Sequence, residues 1–139
     1  MATAKHILLL GNPVIQDKLA TTEALYPGNV VIQISATHLK KNTANAADVP
    51  LTLALENSAM GKEITDAYSS GDQVAVATFY PGCHAYPLIA SGQNIAVNQY
   101  LEYDNAGRLV AHSAGKRVAR ALEAVNATAG DTHIRVEAM

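Results

Sequence analysis

The sequence of 139 residues has little of several things on which small proteins commonly rely. It contains one cysteine, no tryptophan and one phenylalanine, and aromatic residues make up only 5% of the chain. A single cysteine excludes an intramolecular disulfide framework and is typical of synthesis in a reducing compartment. Because large side chains are scarce, we expect one domain with a thin core, such as two sheets packed face to face.

Charge is also sparse. The formal net charge is −2, charged residues make up 16% of the chain, and no block of like charges occurs. Nothing in this balance favours binding to the phosphates of nucleic acid or to an anionic membrane surface. The apolar run Ile7–Leu10 is too short for the hydrophobic region of a signal peptide or for a bilayer span. We therefore expect no nucleic acid partner, no membrane partner and synthesis in the cytoplasm.

What the sequence does contain is a series of short stretches with period-two alternation. In residues 72–79 the β-forming side chains Val74, Val76 and Thr78 lie two residues apart after a Gly-Asp turn, and residues 130–137 repeat this pattern. Such alternation is typical of a strand with one packed face. Turn signals separate further stretches at intervals of about eight to twelve residues. The sequence therefore predicts an all-β sandwich or barrel as a single domain over residues 1–139.

Some segments fit this pattern less well. Residues 14–25 have loosely spaced apolar side chains and could form a weak helix. Residues 117–124 are rich in helix formers, but they alternate and lie between two hairpin signals, which favours a strand. Two Tyr-Pro-Gly turns, beginning at Tyr26 and Tyr80, indicate shared turn chemistry rather than duplication, because their flanks do not align.

Two segments are candidates for contact with another molecule. The apolar run within residues 1–12 could be a central strand or an N-terminal arm that docks on another chain. Residues 36–50 are mostly small or polar and contain no clear strand pattern. A loop of this length in a compact domain is usually functional or mobile. We therefore interpret it as a surface that touches a partner.

No group of residues has the spacing of a catalytic or metal site. The five histidines are isolated, and no two share the i, i+2 or i, i+4 spacing that aims two imidazoles at one metal. Cys83 and His84 are neighbours, and neighbours on a strand point to opposite faces, which makes them a poor pair for proton transfer. We expect no metal, no cofactor and no enzymatic activity, with a Cys83–His84 enzyme as the remaining catalytic alternative.

Four tyrosines lie close together in the sequence. They are Tyr80, Tyr86, Tyr100 and Tyr103. Tyrosines are good cross-strand fillers and rigid anchors at protein interfaces, and they could also line one concave face that stacks on a ligand. A carbohydrate- or small-ligand-binding β-sandwich is therefore the alternative to a protein-binding role.

A succession of turns and strands runs through residues 70–139. Its parts are Gly71–Val76, the turn Pro81–Gly82, Leu88–Val97, Tyr100–Leu109, Val118–Ala124 and Ile134–Val136. This succession resembles the capsid cement, or decoration, proteins of tailed double-stranded DNA bacteriophages. The motifs that carry the resemblance are structural rather than catalytic.

The resemblance implies a small β-sandwich of jelly-roll type with an extended N-terminal arm. It implies a structural virion protein that binds the outside of the icosahedral head as a homodimer and stabilises the head by bridging subunits of the major capsid protein. The predicted partner-binding residues are Ile7, Leu8, Leu9 and Leu10 in the arm, His38, Leu39, Lys40 and Lys41 in the loop, and Tyr80 and Tyr86.

Overall fold

The structure is a computed structural model that describes residues 4–20, 24–42, 49–57, 59 and 61–139, with the backbone alone of residues 18–20. Within these residues it is an all-β protein, which confirms the predicted β-sandwich class. The jelly-roll type stays a prediction. No helix in the described ranges is long and apolar enough to cross a membrane.

The strands are short and belong to three sheets. In chain order they are β1 (Leu8–Leu10), β2 (Val14–Ala20), β3 (Val31–Gln33), β4 (His38–Lys41), β5 (Thr52–Ala54), β6 (Gln73–Thr78), β7 (His84–Ala85), β8 (Leu88–Ile89), β9 (Asn94–Ile95), β10 (Tyr100–Tyr103), β11 (Leu109–Ala111), β12 (Ala119–Ala121), β13 (Val125–Asn126), β14 (Thr132–His133) and β15 (Val136–Ala138). The eight-stranded sheet has the order β1-β7-β15-β12-β10-β11-β8-β14, the five-stranded sheet has the order β3-β4-β2-β6-β5, and β9 pairs with β13.

The five-stranded sheet curls until its two edges meet. The Gly28 N–H donates to the Ala54 carbonyl at 2.8 Å, and the Ala54 N–H donates to the Asn29 carbonyl at 3.0 Å. Val30 and Leu53 complete this closure as an isolated bridge. The inner face of the curl holds a small apolar cluster of Leu25, Val31, Leu39, Ala54, Tyr68, Val74 and Val76.

The main core lies between the eight-stranded sheet and the outer face of β5 and β6. The alternation of β6 decides this division, because Val74 and Val76 face the interior of the curl while Ala77 faces the main core. The eight-stranded sheet contributes large side chains that are fully buried, among them Leu101 and Ile134. The two cores are therefore separated by a single strand layer.

The helix considered for residues 14–25 is not formed. Residues 14–20 are strand β2, which pairs antiparallel with β6 from Val14↔Thr78 to Leu19↔Gln73. This long ladder supplies hydrogen bonds to the backbone N–H and C=O groups of β2. The tertiary pairing therefore overrides the weak local preference of these residues for a helix. The strand predicted within residues 117–124 is confirmed as β12.

Three further expectations need correction. The apolar run does not extend as a free arm, because β1 pairs with β7 through Leu8↔Ala85 and Leu10↔His84. The predicted loop over residues 36–50 contains strand β4, while residues 43–48 lie outside the described residues. The stretch 130–137 forms two strands rather than one, since β14 pairs with β8 whereas β15 pairs with β12 and β7.

Candidate functional site

The predicted arm is mostly part of the main core. Ile7 is fully buried, its N–H donates to the Glu56 carboxylate at 3.3 Å, and its carbonyl accepts from the Tyr86 N–H at 2.8 Å. Leu8 and Leu9 are partly buried against the same core. Leu10 is 56% exposed. Of the four predicted arm residues, Leu10 therefore offers the most apolar surface to a partner.

The predicted loop residues divide between the interior and the surface. Leu39 is 2% exposed and belongs to the cluster inside the curl, so it is a core residue. His38, Lys40 and Lys41 are half-buried on β4. The aliphatic part of Lys41 packs over Gly107, where an added Cβ would lie 2.9 Å from the lysine Cγ. Lys41 thus links the curled sheet to the turn before β11.

The four tyrosines do not line one face. Tyr86 and Tyr103 are buried, with Tyr86 stacked on His133 at a ring-centroid distance of 5.0 Å and the Tyr103 hydroxyl donating to the Val49 carbonyl at 2.9 Å. Burial raises the pKa of Tyr103, which keeps this hydroxyl protonated. Tyr80 and Tyr100 are exposed. The prediction that these tyrosines line one concave face is therefore wrong. Tyr100 and Tyr103 are three residues apart on β10, and side chains at that spacing on a strand point to opposite faces of the sheet.

Exposed apolar side chains concentrate where the chain passes from β6 to β7. Leu10 pairs with His84 and Val14 pairs with Thr78, so both flank this connection, which carries Tyr80 at 54% exposure. We define the apolar edge as the exposed residues Leu10, Val14, Ile15, Tyr80 and Met139. Met139 belongs to it because the neighbouring Ala138 exchanges hydrogen bonds with Gly82 and Cys83.

The apolar edge also includes a strand that pairs on one side only within the described residues. Strand β1 is the last strand of the eight-stranded sheet and has a neighbour on one side, β7. A free strand edge is a template on which another chain can add a strand. Val14, Ile15 and Met139 escaped the sequence analysis, because their exposure depends on where the two sheets end rather than on local pattern.

The described residues contain no group of three His, Cys, Asp or Glu side chains that could hold a metal ion. Cys83 is buried in the main core, and its Sγ lies where a side chain at Gly11 would be, 2.6 Å from the position of an added Cβ. A side chain at position 11 would collide with this thiol, which explains why a glycine packs against Cys83 there. The thiol is a core group rather than an exposed nucleophile.

Among the cavities of the described residues, two are formed by the sheets. A groove of about 420 Å³ enters the curl, with a buried floor that includes Val31, Leu39 and Val76 and a rim that includes Val14, Gln16 and Thr78. A larger cleft of about 680 Å³ lies between the two sheets. We call it the inter-sheet cleft, and its polar lining includes Tyr26, Asn29, Lys41, Thr65, Arg108, Asp131 and His133.

Gly28 brings the two walls of the inter-sheet cleft together. It has φ +96°, and an added Cβ would lie 2.8 Å from His133 Nε2. The His133 Nε2–H donates to the Pro27 carbonyl at 2.9 Å, which fixes the tautomer because a carbonyl can only accept. Burial lowers the pKa of His133, so the ring is held in its neutral form. Of the residues of this cleft, sequence analysis selected only Lys41, because the described lining comes from six separate segments.

These features define a two-sheet β-protein with an exposed apolar edge and a polar cleft. No protein-family model and no curated protein matches the chain. Among solved structures, the chain is similar to the N base of the head fiber gp8.5 of bacteriophage phi29, with a TM-score of 0.57 and 12% sequence identity. The likeness covers 91% of this chain and 93% of that chain. At this identity it concerns the fold, and it extends over both sheets.

Proposed function

We propose that the protein is a structural protein of a bacteriophage virion, bound to the outside of the head. The observation that carries the proposal is the likeness of fold to the base of a phage head fiber over 91% of this chain. The resemblance of residues 70–139 to phage cement proteins supports the same class from the sequence. A protein of this kind requires a stable fold and an attachment surface and does not require a reactive site.

We assign attachment to the apolar edge, with the major capsid protein as the partner. Leu10, Val14 and Tyr80 are exposed, and their burial against a partner removes apolar surface from water. Tyr80 is a suitable anchor because tyrosine supplies a large, rigid contact area and is enriched among the residues that dominate binding energy. The free side of β1 supplies backbone donors and acceptors that a strand of the capsid protein can pair with.

Attachment at this edge stabilises a shell if one copy contacts two neighbouring capsid subunits. Separating those subunits then also breaks the contacts of the bridging copy, whose binding energy adds to theirs. Repetition over many copies raises the temperature at which the head is disrupted. We also propose that two copies pair as a homodimer. Sedimentation of the free protein tests this pairing in solution, and cross-linking on heads tests it on the particle.

The test is co-sedimentation of the purified protein with heads that lack it, followed by heating of bare and decorated particles. We expect saturable binding and a higher disruption temperature after decoration. Tyr80→Ala should weaken binding by at least about tenfold, as expected for an anchor residue. The matched control is Tyr26→Ala, since Tyr26 begins the other Tyr-Pro-Gly turn and is similarly exposed at 46%. The control should bind heads within about twofold of the parent protein.

Two results would count against the proposal. A folded protein that does not bind heads at any concentration would leave the likeness to the head fiber base as one of fold alone. Equal losses from Tyr80→Ala and Tyr26→Ala would remove the apolar edge as the attachment surface. In that case His38 and Lys40, half-buried members of the sequence-predicted loop surface, become the next residues to substitute.

A further inference from the structure

The inter-sheet cleft has the size and composition of a small-molecule site. Its volume of about 680 Å³ falls inside the range of about 300–1,000 Å³ typical of such sites. The cleft is open to solvent on one side and closed on the other by Leu88, which is 7% exposed, and by the half-buried His133.

A pair of polar groups in the cleft has unused hydrogen-bonding capacity. Arg108 donates through Nε to Asp104 Oδ2 at 2.8 Å and through Nη1 to Asp131 Oδ1 at 2.9 Å, and Asp131 Oδ1 also accepts from the Ser91 N–H at 2.9 Å. Arg108 Nη2 and Asp131 Oδ2 make no hydrogen bond to the described residues. Arg108 Nη2 and Asp131 Oδ2 therefore remain as a donor and an acceptor on the two partners of one ion pair.

The described charges next to Arg108 and in the cleft lining are of both signs. The cationic side chains of the lining are Lys41 and Arg108, and the carboxylates next to Arg108 are Asp104 and Asp131. His133 adds no charge in its neutral form. An anionic ligand placed against the pair would face Asp131, and a cationic ligand would face Arg108, so either would meet a like charge at close range. A ligand with hydroxyl groups and no net charge avoids both costs.

An exposed aromatic ring stands at the mouth of the cleft. Tyr26 is 46% exposed even though its backbone is anchored, since its N–H donates to Asn29 Oδ1 at 2.8 Å. Asn29 is itself buried and donates through Nδ2 to the Gly107 carbonyl at 3.1 Å, which joins this turn to the opposite wall. An exposed tyrosine ring can stack on the apolar face of a sugar ring.

We propose that the inter-sheet cleft binds a neutral saccharide, with Tyr26 stacked on a sugar ring and adjacent hydroxyl groups bound by Asp131 Oδ2 and Arg108 Nη2. A pair of neighbouring hydroxyls can donate to the carboxylate oxygen and accept from the guanidinium at the same time. The proposal does not depend on attachment to a phage head. It also differs from a tyrosine-lined face, since Tyr26 is the one tyrosine in this lining and sequence analysis did not select it.

The test is titration of the 15N-labelled full chain, followed by amide chemical shifts, with glucose, N-acetylglucosamine, their β-linked tetramers, glucuronic acid and glucosamine. We expect at least one neutral probe to give saturable shifts that cluster at Tyr26, Thr65, Arg108 and Asp131. The acidic and basic probes should bind at least about tenfold more weakly than their neutral counterpart. Titration to about 50 mM detects a site with a millimolar Kd.

Matched variants separate stacking from hydrogen bonding. Tyr26→Ala should weaken binding at least about tenfold, whereas Tyr26→Phe should stay within about threefold because the ring is kept. Asp131→Asn keeps an oxygen for the Ser91 N–H and Arg108 but replaces the free acceptor with a donor, so it should also weaken binding by about tenfold. Tyr80→Ala, which removes the tyrosine of the other Tyr-Pro-Gly turn, should leave saccharide binding unchanged.

The proposal is overturned if no neutral probe shifts the cleft resonances, if a charged probe binds more tightly than its neutral counterpart, or if Tyr26→Ala and Tyr80→Ala have equal effects. Head co-sedimentation of the same variants distinguishes this failure from failure of the proposed virion function. Tyr26→Ala is expected to lose saccharide binding and keep head binding, and Tyr80→Ala is expected to do the reverse.

Discussion

The two sheets are built from the same kind of strands but are filled differently. The eight-stranded sheet rests on a core that includes fully buried Leu101, Leu109 and Ile134. The five-stranded sheet curls round a cluster in which Tyr68 is the one aromatic side chain among the described residues, and it retains a groove of about 420 Å³. A chain with one phenylalanine and no tryptophan has too few large side chains to fill both interiors. Curling the small sheet therefore leaves a groove along its inner face that is open to the surface.

The two Tyr-Pro-Gly turns likewise share a local structure but differ in their surroundings. Gly28 and Gly82 have nearly equal φ angles, +96° and +94°, so the local conformation is shared. An added Cβ at Gly28 would meet His133, whereas one at Gly82 would meet nothing within 4 Å. One tripeptide thus forms a packed joint between the sheets, and the other forms an open turn on the apolar edge.

The largest expected loss of stability comes from shortening a leucine in each of the two cores. Leu101→Ala removes a fully buried side chain from the main core, and we expect a loss of about 4 kcal/mol in the free energy of unfolding. Leu39→Ala, in the cluster that borders the groove, should cost about 2 kcal/mol, because part of its surroundings is already unfilled. Urea denaturation of both variants measures the difference. Equal costs would mean that the curled sheet is as well packed as the main core.

Alanine substitution of Gly28 and Gly82 should separate the cost of backbone strain at positive φ from the cost of a steric clash with His133. Gly82→Ala introduces a side chain at positive φ in open space and should cost about 1 kcal/mol. Gly28→Ala carries the same strain and also displaces His133, so we expect a total of about 3 kcal/mol. Thermal unfolding of the two variants compares them directly. A difference near zero would contradict the packed joint at His133.

Removal of one buried hydroxyl from each core should give a smaller effect. The Tyr68 hydroxyl donates to the Leu55 carbonyl at 2.6 Å, and burial raises the pKa of Tyr68 to about 12. We expect Tyr68→Phe to cost about 2 kcal/mol, because it leaves a buried carbonyl without a partner. Tyr103→Phe, which loses a bond of 2.9 Å to Val49, should cost about 1 kcal/mol. The reverse order in chemical denaturation would show that the curled sheet relaxes more readily.

The smallest effect concerns pH and the joint between the sheets. Burial lowers the pKa of His133 below its ordinary value of 6.5. As the pH falls below 6.5, the unfolded chain takes up a proton on His133 before the folded chain does. The free energy of unfolding therefore declines from pH 6.5 down to the lower pKa of the folded protein, and this group does not affect it above pH 6.5. Unfolding of the parent protein and of His133→Phe between pH 8 and pH 5 measures this contribution. An unchanged pH dependence in the variant would assign the decline to other groups.

The sequence was sufficient for the fold class and for most strands of the second half. Period-two alternation predicted β6, β10 and β12 because it reports directly which side chains share a face. It failed at β2, whose strand state depends on a ladder with β6 more than fifty residues away. It also failed to identify the inter-sheet cleft, whose walls meet only after folding.

The sequence by itself determined an all-β chain without disulfides, with thin cores and no catalytic spacing, because composition and alternation are local properties. Tertiary structure decided that Ile7 is buried while Leu10 is exposed, that Tyr86 is packed while Tyr80 is free, and that Tyr26, Arg108 and Asp131 share a cleft. The physical reason is that exposure and proximity depend on where sheets end and which segments meet. These are set by pairings between residues far apart in the chain, which no short window of sequence contains.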